Sequence, residues 1–244
     1  MWSQPPVSLS LSSGAVHVWR ASLEQPPELQ ESLLRTLNEA ERARADRFHF
    51  DQHRRRYVLG RGFLRALLGR YLDVDAADVR FVYGPYGKPS LAEDHGAQHL
   101  QFNASHSHEL AVYAFVEEHE LGVDVEYMKE DFAGEDIARH FFSAYEVETF
   151  LALPESERAA AFFRCWTRKE AYIKAIGSGL SHPLDQFDVT IAANEPAALI
   201  RDYRDEYATA RWSMFDLGLE DYAGALVVAG LSVVGVQKYD YPTP

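Results

Sequence analysis

The chain has little of several features that would place it in other classes of protein. Cysteine occurs once in 244 residues, at Cys165, so no internal disulfide can form and a reducing cytoplasm is expected. No apolar run reaches the roughly 18–20 residues that a membrane span needs. The first residues also lack the basic and apolar segments of a secretory signal. We therefore expect a cytoplasmic protein that does not enter the membrane.

Positive charge is scarce as well. Lysine and arginine together number 24 against 37 acidic residues, which gives a net charge of −13 and argues against general nucleic-acid binding. Within residues 42–70, however, nine arginines face only two acids, a local charge of +7. We call these arginines the basic island: Arg42, Arg44, Arg47, Arg54, Arg55, Arg56, Arg61, Arg65 and Arg70. They indicate a site for a small polyanion or an acidic partner, or else a solvated helix face.

The chain is rich enough in apolar residues, at 47%, to build packed cores. Alternating and helical hydrophobic patterns follow one another without regular β-α alternation, which predicts an α+β fold. The second half of the chain repeats the order of predicted strands and helices of the first half. We therefore predict two pseudo-symmetric halves, residues 1–118 and 119–244, with the active site in the cleft between them. Each half would be a small, mostly antiparallel sheet packed with a long helix. The predicted strands are 15–21, 80–83, 100–103, 110–116, 121–128, 187–191, 210–215 and 222–229, and the predicted helices are 28–37, 38–50, 53–72 and 157–176.

A predicted strand carries two carboxylates in Leu-Gly-Val-Asp-Val-Glu, residues 121–126. Asp124 and Glu126 would point to one face of this strand, because side chains alternate along it. Two carboxylates so close repel unless a cation lies between them, and oxygen ligands favour Mg²⁺ or Mn²⁺. The alternative is an acidic strand that simply faces solvent.

The last long helix contains Trp-Thr-Arg-Lys-Glu-Ala-Tyr-Ile-Lys, residues 166–174, and Gly177 marks its end. Trp166, Glu170 and Lys174 are spaced by four residues and would line one face. Glu170 and Lys174 could form an ordinary ion pair on the helix surface. With the strand carboxylates nearby, Glu170 could instead be a third metal ligand and Lys174 a phosphate ligand.

Two further segments are predicted to be turns. Residues 102–107, Phe-Asn-Ala-Ser-His-Ser, offer hydroxyls, an imidazole and backbone N–H groups, which together suit phosphate oxygens. A Ser–His nucleophilic pair and a simple polar hairpin turn are the alternatives, although the Gly-x-Ser-x-Gly pattern is missing. Residues 87–89, Gly-Lys-Pro, predict a rigid turn with an exposed lysine.

Together these segments resemble the larger, two-domain class of 4′-phosphopantetheinyl transferases, which activate carrier proteins of peptide and polyketide synthases. The resemblance lies in residues 42–48, 87–89, 102–107, 122–126 and 166–174. It implies transfer of the 4′-phosphopantetheine arm of coenzyme A to a serine of an apo acyl- or peptidyl-carrier protein, with release of 3′,5′-ADP. It also implies a monomer, because one chain builds the cleft that smaller relatives build between subunits.

The resemblance implies roles for individual residues. Mg²⁺, or Mn²⁺ in its place, would be held by Asp124, Glu126 and Glu170 together with the coenzyme A diphosphate. Lys174 would neutralise the diphosphate, and Glu170 would accept the serine proton. The residues implied to contact coenzyme A elsewhere are Ser105 and His106 at its phosphates, Lys88 and Pro89 at the adenine, and Arg44 and Arg56 near the 3′-phosphate. Glu41 stands where some relatives have a lysine, so the phosphate clamp is expected to differ.

The expected partner is an acidic, helical carrier domain, which would dock on the basic island and on residues 127–132. Two alternatives come from other classes. A metal-dependent phosphodiesterase or nuclease also uses acidic clusters with a lysine, but the net acidity speaks against it. A non-catalytic module that binds coenzyme A or a carrier would keep the basic island and would not need three carboxylates.

Overall fold

The structure, a computed structural model, describes residues 1–129, 134–230 and 235–242. Within these ranges the helices are α1 (Pro27–Thr36), α2 (Glu39–Ala45), α3 (Asp51–Leu72), α4 (Glu135–Phe141), α5 (Ala144–Ala152), α6 (Glu155–Ala175) and α7 (Ala208–Arg211). The strands are β1 (Ala15–Ser22), β2 (Phe81–Tyr83), β3 (Pro89–Leu91), β4 (Leu100–Ser107), β5 (Leu110–Glu117), β6 (Leu121–Tyr127), β7 (Phe187–Val189), β8 (Leu199–Asp202), β9 (Trp212–Asp216), β10 (Tyr222–Ala229) and β11 (Gly235–Asp240). Small, mostly antiparallel sheets packed with helices make the predicted α+β class correct.

A four-stranded sheet in the order β11-β1-β5-β4 packs against the long helix α3. The apolar residues of α3 recur at helical spacing, so one stripe of the helix turns inward. Leu64 and Leu67 of this stripe are buried beside Trp19 and Phe115 of the sheet. This stripe and the facing side chains of the sheet form one core.

A three-stranded sheet in the order β6-β10-β9 packs against the second long helix, α6. Tyr172 and Ile173 of the helix are buried with residues of the sheet. Cys165 lies in the same core without exposed surface, and burial raises the pKa of its thiol well above the ordinary value. A buried thiol with a raised pKa is poorly suited to act as a nucleophile.

The two sheets share a third core, built from valines and other aliphatic side chains of β1, β5, β6 and β10. Val123 and Val125 of β6 point into it, which confirms the predicted alternation of that strand. The same alternation sends Asp124 and Glu126 the other way, toward β4. Since β4 and β6 are edge strands of their sheets, we call the line along which they meet the seam.

The end of the described chain returns to the first sheet. Strand β11 pairs in parallel with β1, with Ala15 opposite Gly235 and Arg20 opposite Asp240. This pairing joins the two ends of the chain and was not predicted. The division into residues 1–118 and 119–244 stays a prediction. Among the described residues, no helix is both long enough and apolar enough to cross a membrane.

One local prediction was wrong, because residues 103–107 continue strand β4 and do not form a turn. Two predicted elements form with different boundaries. The helix predicted over 38–50 ends at Ala45, and the ring of Phe48 lies 5.4 Å from that of Tyr57 in α3. The strand predicted over 210–215 starts at Trp212, after the short helix α7.

Candidate active site

The polar face of β4 forms one side of the seam. Asn103, Ser105 and Ser107 alternate along the strand and therefore share a face. The Asn103 side-chain oxygen accepts a hydrogen bond of 2.9 Å from the backbone N–H of Val123. The Ser107 hydroxyl oxygen accepts one of 3.1 Å from the N–H of Tyr127. These side chains satisfy backbone groups that an edge strand would otherwise leave unpaired, which holds β4 against β6.

The two carboxylates of β6 form the other side of the seam. The Ser105 hydroxyl donates to Asp124 Oδ1 at 2.7 Å, and the Ser107 hydroxyl donates to Glu126 Oε2 at 2.6 Å. Asp124 is almost fully buried. Its second oxygen, Oδ2, is buried without a hydrogen-bond partner in the described part of the chain. A buried carboxylate oxygen in that condition is costly and is suited to receive a cation.

Gly122 explains why α6 can lie close to these carboxylates. A Cβ atom at this position would stand 2.1 Å from the carbonyl oxygen of Ala171 and 2.4 Å from the nitrogen of Ala175. Both are backbone atoms of α6, so no side-chain rotation could relieve the overlap. The missing side chain therefore allows the last turns of α6, which carry Glu170 and Lys174, to pack directly on β6.

Lys174 brings a positive charge to the seam. Its ammonium lies 2.6 Å from Asp124 Oδ1 and donates to the Ser105 hydroxyl at 3.1 Å. The pair joins a residue of α6 to a residue of β6 and is largely enclosed by protein. The ordinary surface Glu–Lys pair considered for this helix is therefore not the contact that Lys174 makes.

The remaining carboxylates are close enough to influence one another. Burial, and next the negative charge of Asp124, raise the pKa of Glu170, while Lys174 opposes the change. Burial also raises the pKa of Glu126, with the Ser107 hydrogen bond acting against it and the charge of Asp124 adding to it. Burial is the largest cause of both shifts, and the charge of Asp124 adds a repulsion that a cation would relieve.

The donor set at this position fits a hard divalent cation. Asp124, Glu126 and Glu170 offer only oxygen atoms, which is the preference of Mg²⁺ and Mn²⁺. The unpartnered Oδ2 of Asp124 and the mutual effects of the carboxylates on pKa agree with that chemistry. Over residues 1–129, 134–230 and 235–242, no three His, Cys, Asp or Glu side chains already stand in a metal-binding arrangement. Lys174 occupies part of the space around Asp124.

His106 lies between Ser105 and Ser107 on β4. Its ring keeps access to solvent, yet the protein atoms around it, and next the positive charges of Lys174 and Arg56, lower its pKa. Asp124 acts in the opposite direction. The lowered pKa favours a neutral imidazole near pH 7, which can donate or accept a hydrogen bond.

Of the two arginines predicted to bind phosphate, Arg56 is engaged within the protein. It donates from Nε to Glu109 Oε1 at 3.2 Å and also from Nη2, and both side chains are mostly buried. Gln52 donates to the same oxygen at 3.1 Å. Arg44 is exposed, and its guanidinium lies 5.3 Å from the ring centre of Tyr57.

Some arginines of the basic island are buried in ion pairs, and others are exposed to solvent. Arg65 has no exposed surface, and together with Arg61 it binds the buried carboxylate of Glu41. Burial alone would raise the pKa of Glu41, but the two arginines lower it. Glu41 thus serves the packing of α2 on α3. The arginines that remain exposed are Arg42, Arg44, Arg47 and Arg70.

Lys88 lies in the turn between β2 and β3, and its side chain reaches α6. Its ammonium donates to the carbonyl oxygens of Leu121 at 3.0 Å and of Lys174 at 2.7 Å. Burial lowers its pKa, and the charge of Glu120 partly offsets the effect. Lys88 and Pro89 line a cavity of about 220 Å³, which Lys174 also lines. The lysine is therefore half-buried and tied to backbone oxygens, not an exposed turn residue.

A second cavity, of about 430 Å³, is lined in part by Glu126. Trp166 forms part of its wall, stacked 5.9 Å from Phe162 and edge-on to Phe141 at 5.7 Å. Arg56, Lys129 and Glu126 supply its polar rim. One face of α6 thus presents Trp166 to the larger cavity and Lys174 to the smaller one, with Glu170 between them in sequence.

Some important residues were missed at the sequence level. Lys169, next to Glu170, is fully buried, where it pairs with Glu146 at 2.7 Å and donates to two backbone oxygens. Gly122 and Ser107 lay inside quoted motifs, but their roles were not recognised. The alternation of Asn103, Ser105 and Ser107 was the available signal, since alternating polar residues are typical of a strand with one polar face.

With this geometry in hand, comparison with known proteins defines the class. The sequence model of the 4′-phosphopantetheinyl transferase superfamily matches residues 120–227, and that of the 4′-phosphopantetheinyl transferase N-terminal domain matches residues 18–118. The chain belongs to the two-domain 4′-phosphopantetheinyl transferases of the Sfp type. The family resemblance of the motifs is confirmed.

Two relatives show how far the similarity extends. The 4′-phosphopantetheinyl transferase HetI of Nostoc sp. is 39% identical over 230 residues, which cover 94% of each chain. The 4′-phosphopantetheinyl transferase Sfp of Bacillus subtilis is 33% identical over 164 residues, which cover 67% of this chain and 70% of Sfp. The similarity to HetI therefore includes both sheets and the seam between them.

Proposed function

We propose that this protein transfers the 4′-phosphopantetheine arm of coenzyme A to a serine of an apo acyl- or peptidyl-carrier protein and releases 3′,5′-ADP in a Mg²⁺-dependent reaction. Membership of the transferase family supports the class of reaction. The observation that carries the proposal for this chain is the arrangement of Asp124, Glu126, Glu170 and Lys174 along the seam. Contacts between residues of three of the quoted motifs, 102–107, 122–126 and 166–174, support the proposal.

Asp124, Glu126 and Glu170 would hold the magnesium ion. When bound, the ion would offset negative charge on the coenzyme A diphosphate as 3′,5′-ADP leaves. The protein supplies the rest of the site by positioning. Ser105 and Ser107 orient two of the carboxylates, and Gly122 lets α6 deliver the third.

Lys174 would bind the diphosphate, with Ser105 and His106 beside it. Its ammonium already lies at the seam, where Asp124 and Ser105 fix its direction. A positive charge held in a partly buried position stabilises developing negative charge more strongly than one in water. Arg44 and Arg56 are proposed for the 3′-phosphate, which would require Arg56 to share its guanidinium between Glu109 and the ligand.

Glu170 is the candidate base for the serine hydroxyl of the carrier. Burial, and next the charge of Asp124, raise the pKa of its carboxyl, which makes the carboxylate a stronger proton acceptor than an ordinary glutamate. It can act on the hydroxyl directly or through one water molecule. In either case the attack breaks the bond between the β-phosphorus and the oxygen leading to 3′,5′-ADP.

The two cavities suit the two ends of the substrate. Lys88 and Pro89 line the smaller one, which is the proposed adenine position. The larger one, beside Trp166, offers an apolar wall to the pantetheine arm and lies next to Lys129. For the carrier we propose the rim of this cavity and the exposed arginines of the basic island. Residues 130–132 of the predicted docking segment lie outside the described residues.

Intact-mass spectrometry of an apo carrier tests the proposal. After incubation with the protein, coenzyme A and Mg²⁺, the carrier should gain one phosphopantetheine group, and Asp124→Asn should abolish the gain. Glu148→Gln is the matched control, since Glu148 is an exposed glutamate of α5 away from the seam. If the carrier stays unmodified and a plasmid incubated with the protein and Mg²⁺ is cleaved, the phosphodiesterase is favoured. If the protein binds coenzyme A or the carrier without modifying the carrier, the non-catalytic module is favoured.

A single species at monomer mass in light scattering would support the predicted monomer.

A further inference from the structure

We propose that Ser107 is a positioning residue for the metal site and that it acts by holding Glu126 in the orientation in which the glutamate binds the ion. This inference rests on the proposed magnesium site and adds a residue of the first sheet to it. The contacts of Ser107 are simple enough for the role to be tested separately.

The first step of the argument is the direction of the Ser107 hydrogen. The hydroxyl oxygen accepts a hydrogen bond from the backbone N–H of Tyr127 at 3.1 Å. A hydroxyl has a single hydrogen to donate. With the N–H fixed on one side by strand β6, that hydrogen is directed to Glu126 Oε2, which lies 2.6 Å away.

The second step is the state in which this leaves Glu126. A carboxylate that accepts a hydrogen bond at one oxygen has its rotation restricted, and its other oxygen remains available to a cation. Glu126 is only partly buried, and it lines the larger cavity together with Ser107, so without this contact its carboxylate would be free to rotate in the open space of that cavity. Ser107 thus restrains the carboxylate at the cavity wall.

The third step is that the Ser107 hydroxyl has different hydrogen-bond partners from the Ser105 hydroxyl. Ser105 bonds both Asp124 and Lys174, so its removal would disturb two charged groups at once. Among the described contacts, the Ser107 hydroxyl bonds only Glu126 and the backbone of Tyr127. A change at Ser107 therefore reports on the orientation of one metal ligand.

The experiment is a titration of Mn²⁺, followed by electron paramagnetic resonance, into protein saturated with coenzyme A and without a carrier. Ser107→Ala should weaken Mn²⁺ binding about tenfold or more, as removal of an outer-shell partner does at other metal sites. Ser107→Thr keeps the hydroxyl and should restore binding to within about twofold of the original. Ser213→Ala is the matched control, since it removes a half-buried seryl hydroxyl that bonds a backbone oxygen at 3.2 Å elsewhere in the second sheet.

Glu126→Gln provides the decisive comparison. If Ser107 acts through Glu126, Ser107→Ala should have little further effect on Mn²⁺ affinity in the Glu126→Gln protein. Should Ser107→Ala fail to fold, Ser107→Cys keeps the volume but donates poorly and should show the same loss. Unchanged Mn²⁺ affinity in folded Ser107→Ala or Ser107→Cys would overturn the inference and leave the proposed function standing. Absence of Mn²⁺ binding by the unaltered protein would overturn the metal site and this inference together.

Discussion

Replacement of Gly122 by alanine should separate α6 from the metal strand. The added Cβ would lie 2.1 Å from the carbonyl oxygen of Ala171, whereas ordinary van der Waals contact begins at 3.4 Å. Because the opposing atoms are backbone, the helix itself must retreat by more than 1 Å. Overpacking of this kind costs about 1–3 kcal/mol of stability. A displacement of about 1 Å between reacting groups can cost roughly a hundredfold in rate.

Urea unfolding would measure the stability change, and the initial rate of carrier modification would measure the catalytic one. Gly60→Ala is the matched control. Gly60 lies inside α3, where an added Cβ would meet only the Tyr113 hydroxyl at 3.9 Å, so stability should hold or rise by up to about 1 kcal/mol. If Gly122→Ala matched the unaltered protein in both stability and rate, the claim that close approach of α6 builds the site would be refuted.

Three further predictions concern charged residues. Lys174→Met should lower kcat by about a hundredfold or more, because its charge stabilises the leaving diphosphate. Lys88→Met should mainly destabilise the fold, by about 1–3 kcal/mol, because the Lys88 ammonium bonds backbone oxygens. If both variants lost only affinity for coenzyme A, and to the same extent, this distinction would be contradicted. Glu170→Gln should raise the melting temperature at pH 7 without Mg²⁺ but not at pH 4. The folded protein holds the proton of Glu170 above the ordinary pKa of 4.5, so ionisation weakens the fold as pH rises, and an equal gain at both pH values would refute the reasoning. Glu41→Gln should cost about 3–5 kcal/mol in thermal or urea unfolding, since it leaves the buried Arg65 without its ion partner, and a loss under 1 kcal/mol would disprove that role.

Local signals in the sequence predicted local structure well. Asn38 with Glu41, and Ser143 with Glu146, each have the sequence pattern of a capping box, and both capping boxes form. Gly177 adopts a φ of 67° directly after the last long helix, as a C-terminal glycine should. These features depend on residues three or four positions apart, so neighbouring sequence is sufficient to predict them.

Contacts between distant segments were not predictable in the same way. Residues 103–107 look like a polar turn because a solvent-exposed strand and a loop have similar composition. Their strand state follows from pairing with β5 and from bonds to β6, about 20 residues further along the chain. Strand β11 pairs with β1 across nearly the whole length of the chain, and no short pattern indicates such a partner.

The same limit applies to the site. Spacing on a strand and on a helix indicated that Asp124 with Glu126, and Glu170 with Lys174, share faces. It did not indicate that Lys174 would pair with Asp124 at 2.6 Å, nor that Lys88 would bond the backbone of α6. Both contacts follow from the approach of α6 that Gly122 permits.

The central claim is that carboxylates from β6 and α6 share one divalent ion at the seam. Anomalous diffraction from crystals grown with Mn²⁺ and coenzyme A would test it most directly. We predict a single strong peak within bonding distance of carboxylate oxygens of Asp124, Glu126 and Glu170, with Lys174 turned from Asp124 to the diphosphate. A manganese ion bound elsewhere, with the Asp124–Lys174 pair intact in the presence of coenzyme A, would contradict the account.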